Sequence, residues 1–243
     1  MMRSLANQVA VITGGGSGIG KAIAVGLAAE GAVPVLVGRD ITKLQAVAAS
    51  LRGDAPGVRC YGADLSVPGQ IKELAKQIER DTESVDILVH SAGVIELGFL
   101  AQAPLENLDS QYQVNVRAPY ALTQGLLSNL RAHRGQIVFI NSSAGLSARA
   151  NVGQYAASKH ALRGIADSLR EEVNSDGVRV LSVFLGRTNS PMQAAVFKAE
   201  GRDLRPELLL QPEDVAAVVI SALGLPSRAE VTDIHMRPSV KSY

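Results

Sequence analysis

Tyr155 and Lys159 are the two residues whose types and spacing point most directly to chemistry. They stand four positions apart, so within a helix both side chains lie on one face. A phenol is a poor base at neutral pH because its pKa is about 10, and a neighbouring ammonium favours the phenolate. Lowering this pKa to about 7 needs roughly 4 kcal/mol, which a close lysine and a further positive charge supply in a shielded site. Tyr155 is therefore a candidate to exchange a proton with a carbonyl or alcohol oxygen, and an exposed Tyr/Lys pair is the alternative.

Two further polar positions precede this pair in the chain. One of Ser142 and Ser143, which follow the apolar run 136–141, can hydrogen-bond a substrate oxygen and stabilise charge that develops on it. Asn115 lies within an apolar helical pattern. Because asparagine is an indifferent helix former, its presence there suggests a role, and a polar residue satisfied by local contacts is the alternative.

Residues 13–20 read Thr-Gly-Gly-Gly-Ser-Gly-Ile-Gly and stand between the apolar run 8–12 and a helical pattern. Gly14 permits a tight turn, Gly18 lets backbone approach a phosphate without a Cβ, and Gly20 permits close helix–strand packing. A pyrophosphate at this place meets free N–H groups at a helix N-terminus. The segment predicts a dinucleotide-binding turn, and a glycine-rich turn without a ligand is the alternative.

Short β-rich runs alternate with helical patterns along the whole chain. Most of the runs are nearly continuously apolar, as expected of parallel strands covered on both faces. Strands that alternate with helices imply right-handed crossovers and a doubly wound sheet. We therefore predict a single α/β domain over residues 1–243, a three-layer Rossmann-type fold with a seven-stranded parallel sheet. The predicted strands are 8–12, 33–37, 58–63, 86–90, 136–141, 179–185 and 230–236.

Local signals predict where three of the helices begin. Thr42 and Gln45 fit a capping box that opens a helix through about residue 50. Pro68 suits the first turn of a helix, and Pro212, which two acids follow, marks the start of the last helix. The least regular segment is 186–211, after the sixth strand and at the sheet edge where such folds bind ligands. We interpret it as a segment that covers the substrate, and a simple surface excursion is the alternative.

The composition excludes several classes of protein. The 243 residues are 47% hydrophobic and 19% charged, and the net charge of +1 gives no electrostatic reason to bind nucleic acid or an anionic membrane. The longest apolar stretches are too short to span a membrane. The four histidines lack metal-ligand spacing, so no metal site is predicted. Cys60 is the only cysteine, which excludes an internal disulfide and favours a reducing, cytoplasmic setting.

The Thr-Gly-x-x-x-Gly-Ile-Gly spacing and the order of the motifs after it resemble the short-chain dehydrogenase/reductase family in its compact one-domain form. The resemblance implies a nicotinamide-dependent oxidoreductase that acts on a small carbonyl or alcohol substrate and forms a homodimer or homotetramer. The family has a serine thirteen residues before the tyrosine, a spacing that Ser142 meets. It further implies that Lys159 lowers the pKa of Tyr155 and holds ribose hydroxyls, and that Asn115 binds a water in a proton relay. Ser143 is then a capping or supporting group.

The end of the second strand bears on the choice between NAD(H) and NADP(H). An acid there would accept hydrogen bonds from the adenosine ribose, but Gly38 occupies the place. Arg39 follows, and its guanidinium can grip a 2′-phosphate. Asp40 is the counter-indication, although it stands one position too late by the family pattern. Ser17 lacks the basic charge that some NADP-dependent members carry in the turn. The sequence favours NADP(H), with NAD(H) as the alternative.

Two later turns match the family in part. Asp64 and Leu65, after the third strand, stand where the family contacts adenine, and a turn cap is the alternative for Asp64. Ala92 and Gly93 match the turn after the fourth strand. His90 replaces an asparagine there, but it can still donate one hydrogen bond that supports the turn.

After the sixth strand the family has Pro-Gly-x-x-x-Thr, and this chain has Leu185, Gly186 and Ser190 at the fixed positions. Ser190 and Thr188 can each bond a nicotinamide carboxamide, whereas Leu185 is expected to loosen the turn. The predicted dinucleotide contacts are Gly14, Gly16, Ser17, Gly18, Ile19, Arg39, Asp64, Leu65, Ala92, Gly93, Asn115, Tyr155, Lys159, Thr188 and Ser190.

Together these residues predict an NADP(H)-dependent oxidoreductase that moves a hydride between nicotinamide and a carbonyl carbon. The alternative is a catalytically weak NADP(H)-binding sensor or scaffold, which the altered positions 90, 91 and 185 suggest. A nucleotide-sugar epimerase is disfavoured, because such relatives carry a larger C-terminal part. The substrate stays open, although Arg149 and Arg187 can bind a carboxylate. An apolar pocket lining is expected from Leu146, Ala148, Val152, Met192 and Phe197.

Overall fold

The described residues, 3–51 and 57–240 of a computed structural model, contain seven parallel strands that form one sheet. The strands are β1 (Val9–Thr13), β2 (Val33–Gly38), β3 (Arg59–Gly62), β4 (Ile87–His90), β5 (Gln136–Ser142), β6 (Arg179–Leu185) and β7 (Asp233–Met236). Their order in the sheet is β3-β2-β1-β4-β5-β6-β7. The order reverses between β1 and β4, which creates a crevice outside the carboxyl ends of these two strands.

Eight α-helices of the described chain cover the sheet. They are α1 (Gly18–Ala29), α2 (Ile41–Leu51), α3 (Pro68–Asp81), α4 (Leu105–Tyr112), α5 (Ala118–Ala132), α6 (Gly153–Val173), α7 (Pro191–Ala199) and α8 (Pro212–Leu223). Two separate apolar cores show that the helices lie on both faces. Ile12 of β1 packs in the core formed with α1, α2 and α8, whereas its neighbour Val11 packs in the core formed with α3, α5 and α6. The predicted three-layer, doubly wound α/β fold is confirmed.

Several element boundaries differ from the prediction for identifiable reasons. The capping box at Thr42 is wrong, because α2 already begins at Ile41 and Asp40 Oδ1 accepts the N–H of Lys43 at 3.2 Å. The last strand begins three residues later than predicted. Glu230 is the first residue of the predicted strand, and its carboxylate accepts the N–H of Val180 at 3.0 Å. Helices α3 and α8 do begin at the two prolines that predicted them.

The predicted continuous helix around Asn115 is interrupted. Helix α4 ends at Tyr112, a π-helical turn spans Gln113–Arg117, and α5 follows at Ala118. A π-helical turn accommodates an extra residue within a helix and is frequent at functional sites. Asn115 lies in this turn and is 1% exposed.

None of the helices in the described ranges is long and apolar enough to cross a bilayer. Residues 186–211 are more ordered than the sequence suggested. They contain α7 and a 3₁₀ turn, Pro206–Leu208, and a parallel bridge between Thr188 and Leu210 closes the segment at its base.

Candidate functional site

The glycine-rich turn connects β1 to α1 with backbone angles that side chains rarely adopt. Gly14 and Gly18 have φ of +70° and +50°, in the left-handed region that favours glycine. A Cβ at Gly20 would overlap the carbonyl oxygen of Gly14. Ser17 occupies the N-cap position of α1, but its side chain makes no capping hydrogen bond. The first backbone N–H groups of α1 therefore remain available to donate hydrogen bonds to an anion in the crevice.

Thr13 joins the ends of β1 and β4. Its hydroxyl oxygen accepts the N–H groups of Ser91 and Ala92 at 3.1 Å each and lies 3.4 Å from the carbonyl oxygen of Val89, to which it donates. These bonds hold the turn after β4 against the glycine-rich turn. No separate role for Thr13 is predicted from the sequence. Its position as the last residue of the strand and the first of the motif is the signal that identifies it.

His90 was expected to support the turn after β4 through a hydrogen bond, but its ring contacts other elements. Its ring is buried and stacks on Phe139 at 5.0 Å, and its Nε2 lies 2.8 Å from the hydroxyl of Thr123 in α5. Burial lowers the pKa of His90 to about 3, so the imidazole is neutral. His90 therefore links β4 to α5, and the stabilisation of the turn comes from Thr13.

A cleft of about 620 Å³ opens at the carboxyl ends of β1, β2 and β4, and we call it the glycine-turn cleft. Its floor is the turn between β1 and α1, and the start of α7 forms part of its wall. Eleven of the predicted dinucleotide contacts line it. They are Gly14, Gly16, Ser17, Gly18, Ile19, Arg39, Asp64, Leu65, Ala92, Gly93 and Ser190.

Two basic residues line the cleft beyond the end of β2. Arg39 is exposed there, and Lys43, which the sequence analysis missed, comes from the first turn of α2. Asp40 is engaged by α2, because its Oδ1 accepts the N–H of Lys43 and its Oδ2 lies 3.5 Å from Lys43 Nζ. These bonds lower the pKa of Asp40. The four-residue spacing between Arg39 and Lys43 at a helix start was the available signal.

Asp64 fulfils the capping alternative and also lines the cleft. Its Oδ1 accepts the N–H of Ser66 at 2.9 Å and the hydroxyl of Ser66 at 2.7 Å. These two bonds, and to a lesser extent the charge of Arg39, lower the pKa of Asp64. Leu65 is 7% exposed beside it. Asp64 therefore shapes the turn that the cleft requires.

A second cavity of about 440 Å³ adjoins the cleft, and we call it the Tyr155 cavity. Ser142 at the end of β5 lines it, as do Tyr155 and Lys159 of α6 and Thr188 after β6. The cleft and the cavity share wall residues: Ile19, Ser91, Gly93, Ile95, Leu97, Ser190, Met192 and Val196. The three predicted reacting groups thus lie together next to the glycine-turn cleft.

Tyr155 and Lys159 lie on one face of α6, with Lys159 Nζ 5.8 Å from the centre of the Tyr155 ring. The ammonium donates to the carbonyl oxygen of Ile140 at 3.0 Å. Burial raises the pKa of Tyr155, and a hydrogen bond with Ser142 opposes this effect. Burial also lowers the pKa of Lys159 to about 8. Burial is therefore the largest influence on the pKa of Tyr155 here, whereas the lowering expected from the sequence requires a further positive charge beside Lys159.

Ser142 both faces the cavity and caps the next turn. Its hydroxyl accepts the N–H of Ala144 at 3.1 Å, so the capping role expected of Ser143 belongs to Ser142. Asn141 fixes this residue in place, because its Oδ1 accepts the N–H of Ser142 at 2.7 Å and its Nδ2 donates to the carbonyl oxygen of Lys159 at 3.1 Å. Asn141, 3% exposed, is a second residue that the sequence analysis missed.

The side chain of Asn115 is fully occupied by protein groups. Its Oδ1 accepts the N–H of Val94 at 2.9 Å, and its Nδ2 donates to the carbonyl oxygen of Val94 at 2.9 Å and to the hydroxyl of Ser158 at 3.0 Å. These contacts match the alternative of a locally satisfied polar residue. Asn115 ties the loop after β4 to α6 and lines neither the cleft nor the cavity, so its contacts are those of a positioning residue.

Leu185 does not loosen the start of segment 186–211. It is 5% exposed and closes the strand ladder opposite Ser142 and Met236. The hydroxyl of Thr188 donates to the carbonyl oxygen of Gly186 at 3.1 Å.

Helix α7, within the same segment, borders both the cleft and the cavity. Ser190 caps it by accepting the N–H of Gln193 at 3.2 Å. Of the predicted apolar lining, Val152 and Met192 line the Tyr155 cavity, whereas Leu146, Ala148 and Phe197 do not. In residues 3–51 and 57–240, no three His, Cys, Asp or Glu side chains are grouped as metal ligands would be.

Comparisons with known proteins agree with this geometry. The model of the short chain dehydrogenase family matches residues 8–201. An uncharacterised oxidoreductase of Staphylococcus aureus strain MW2 is 32% identical over 238 residues, 98% of this chain and 100% of the relative. A metagenomic short-chain oxidoreductase solved in complex with NADP is 31% identical, with a TM-score of 0.84 and coverage of 98% and 100%. A short-chain dehydrogenase from Escherichia coli CFT073 complexed with NADPH is 29% identical, with a TM-score of 0.86 and coverage of 96% and 98%.

The family match spans most of the chain and includes the turn after β1, the end of β5 and the Tyr155 helix α6. The sheet order and flanking helices are those of the matched structures, and the relatives named above are oxidoreductases. The chain belongs to the short-chain dehydrogenase family of oxidoreductases.

Proposed function

We propose that this protein is an NADP(H)-dependent oxidoreductase that interconverts a carbonyl compound and its alcohol. The observation that carries the proposal is the shared wall between the glycine-turn cleft and the Tyr155 cavity. A dinucleotide in the cleft reaches the cavity that Ser142, Tyr155 and Lys159 line. Two of the matched structures contain NADP or NADPH.

The residues present fit this cofactor. A Cβ at Gly14 would press against the backbone of Ala92, the φ of Gly18 favours glycine, and the amides of α1 suit a pyrophosphate. Arg39 and Lys43 would bind the 2′-phosphate, since both cations line that end of the cleft and Asp40 offsets only Lys43, with which it pairs at 3.5 Å. The other proposed contacts are Gly16, Ser17, Ile19, Asp64 and Leu65 near the adenosine half, Ala92 and Gly93 along the backbone, Thr188 and Ser190 at the carboxamide, and Tyr155 and Lys159 at the ribose.

When bound, the nicotinamide supplies or accepts the hydride of the reaction. In the reduction, the carbonyl carbon gains the hydride and the carbonyl oxygen takes the Tyr155 hydroxyl proton, so an alcohol and a tyrosinate result. The raised pKa of Tyr155 keeps the phenol protonated and ready to donate. Ser142 orients the same oxygen and stabilises the negative charge that develops on it. The oxidation runs through these steps in reverse.

Lys159 and Asn115 support this proton transfer in different ways. The tyrosinate is stabilised by the Lys159 ammonium, which the carbonyl oxygen of Ile140 holds in place. Asn115 fixes the loop after β4 against α6 and so maintains the position of the cleft relative to the cavity. We propose that Asn115 positions these elements, in addition to the water relay that the family resemblance implies.

A homodimer or homotetramer and a cytoplasmic setting remain predictions. Exposed apolar side chains before and along α4 and α5 support self-association, namely Phe99, Leu100, Leu105, Tyr112 and Tyr120. Light scattering of the purified chain would measure its mass in solution, and a monomer at all concentrations would contradict this prediction.

The function is tested by titrating NADPH and NADH into the purified chain and then assaying a panel of ketones and aldehydes. We expect NADPH to bind at least about tenfold more tightly, which corresponds to about 1.4 kcal/mol. We also expect oxidation of NADPH with at least one carbonyl class. Equal or tighter NADH binding would overturn the role given to Arg39. Tight NADPH binding without turnover on any carbonyl would contradict the oxidoreductase proposal.

A further inference from the structure

Positive side chains dominate the Tyr155 cavity beyond its reacting groups. Arg149, Arg187 and Arg237 line it from three separate parts of the chain. Glu200 is the single acid among the described residues of this lining. Glu200 already pairs with Arg187 at 2.7 Å and with Arg202, outside the lining, at 3.5 Å. The cavity therefore presents a net positive surface to a substrate.

Arg187 is held in a fixed orientation. Its Nη2 donates to both carboxylate oxygens of Glu200, at 2.7 and 2.9 Å, and its guanidinium lies 4.7 Å from the centre of the Phe197 ring. The carbonyl oxygen of Arg187 accepts the N–H of Leu210 at 3.2 Å, which fixes the backbone as well. Such a guanidinium loses little freedom when it binds a planar anion.

One end of this guanidinium still lacks an acceptor. Arg187 Nη1 is buried and has no hydrogen-bond partner in the described part of the chain. Buried polar groups in proteins are rarely left in this state, and an unexplained one calls for a ligand or water. Arg187 and Tyr155 line the same cavity, so Arg187 borders the space that a bound substrate would occupy.

We propose that the carbonyl substrate of this enzyme carries a carboxylate, which the guanidinium of Arg187 binds, while Arg149 and Arg237 supply positive potential at the exposed rim. This proposal rests on the proposed oxidoreductase function. Ile95, Leu97, Val152 and Met192 line the same cavity, so the body of the substrate is apolar. A monoanion fits better than a phosphate ester, because Glu200 offsets part of the positive charge.

Matched aldehydes test the charge of the substrate. The full chain with NADPH is assayed on 4-carboxybenzaldehyde, its methyl ester and 4-formylphenyl phosphate. The ester group withdraws electrons more strongly than the carboxylate, so intrinsic reactivity favours the ester. We expect kcat/KM at least about tenfold higher for the carboxylate, as one charge-assisted hydrogen bond supplies. A preference for the ester would overturn the proposal, and a preference for the phosphate would overturn the assignment to a carboxylate.

Variants locate the effect at Arg187. The double variant Arg187→Gln/Glu200→Gln removes both members of the ion pair, so no carboxylate is left without its partner. We expect its preference for the carboxylate over the ester to fall to about one. Arg228→Gln, at an exposed arginine outside the cavity, is the matched control and should keep the preference. An unchanged preference in the double variant would contradict the role of Arg187.

A binding measurement separates this inference from the proposed function. Benzoate and benzamide are titrated into the chain saturated with NADP⁺, and neither compound can react. Benzoate should bind at least about tenfold more tightly, and the double variant should lose this difference while it keeps its affinity for NADPH. Equal binding of the two probes would sink the carboxylate inference even where carbonyl turnover is intact. Selective benzoate binding without any turnover would sink only the proposed function.

Discussion

The glycine-turn cleft and the Tyr155 cavity share a wall, but they are built in different ways. The cleft is lined by the turns that follow β1, β2, β3 and β4 and by part of α7. The cavity is lined by residues of the loop after β4, by residues 140–152, and by residues of α6, segment 186–211 and the stretch 237–240. The cleft thus depends on turns that short stretches of sequence encode, whereas the cavity depends on which distant side chains the fold brings together.

This difference implies that the cleft determines cofactor binding, whereas the cavity determines the reaction. Backbone amides and glycines can hold a dinucleotide whatever the substrate is, because they contact groups common to every nicotinamide cofactor. The side chains of the cavity select and transform one class of substrate. A substitution in one region should therefore leave the other region's measured property intact, and the residues that join the two regions should affect both.

Tyr155→Phe should produce the largest separation between the two regions. We expect kcat for carbonyl reduction to fall about 10³-fold, because the phenol proton is lost, while the Kd of NADPH changes less than about threefold. Steady-state rates and fluorescence titration measure the two properties. Retained turnover in the purified variant would contradict the role of Tyr155, and lost NADPH binding would show that the regions are not separable.

Asn115→Ala should affect both regions, because Asn115 bonds the loop beside the cleft to the helix beside the cavity. Removing the amide leaves Val94 and Ser158 with buried groups that lack their partners. We expect a loss of about 3 kcal/mol in the free energy of unfolding, measured in urea, with weaker NADPH binding and lower kcat. Asn174→Ala, at an exposed single contact with Glu230, should cost less than about 1 kcal/mol. Equal losses in the two variants would contradict the proposal that Asn115 joins the two regions.

The pH dependence of the free energy of unfolding measures how strongly the cavity desolvates Lys159. Its pKa is about 8 in the folded protein against 10.5 for a free lysine. Between these values the unfolded chain binds more protons, so this group makes the free energy of unfolding rise as pH rises. From pH 7 to 9.5 we expect the wild type to gain about 2 kcal/mol relative to Lys159→Met.

The control for this pH effect is Lys76→Met, at an exposed lysine of α3. Urea unfolding of the control should follow the wild type across the same pH range. A gap between wild type and Lys159→Met that does not vary with pH would show that the cavity does not desolvate Lys159.

Arg39→Gln should give the smallest effect and confine it to the cleft. We expect the affinity for NADPH to fall about tenfold, or about 1.4 kcal/mol, with the affinity for NADH unchanged. At saturating NADPH, kcat should stay the same because Arg39 lies outside the cavity. Arg59→Gln, at an exposed arginine of β3 that does not line the cleft, is the control. A parallel loss for both dinucleotides would show that Arg39 does not read the 2′-phosphate.

The sequence predicted many of the residues that line the cleft and the reacting groups of the cavity. Eleven of its expected contacts line the cleft, because each follows a strand end, and the ends of parallel strands meet at one edge. The expectations that failed concern the hydrogen-bond partners of polar side chains. His90 bonds Thr123, and the capping role expected of Ser143 belongs to Ser142. Residue type alone does not indicate which partner a buried polar group meets after folding.

By itself the sequence determined the layer order of the fold, the glycine-rich turn and the Tyr155–Lys159 spacing, because local periodicity and helical geometry fix them. Only the tertiary structure decided the π-helical turn at Asn115, the roles of Thr13 and Asn141, and the orientation of Arg187 over Phe197. Each of these depends on contacts between residues far apart in the chain. The glycine-rich turn needs only its own backbone angles, whereas the charge of the substrate cavity depends on how four separate segments pack.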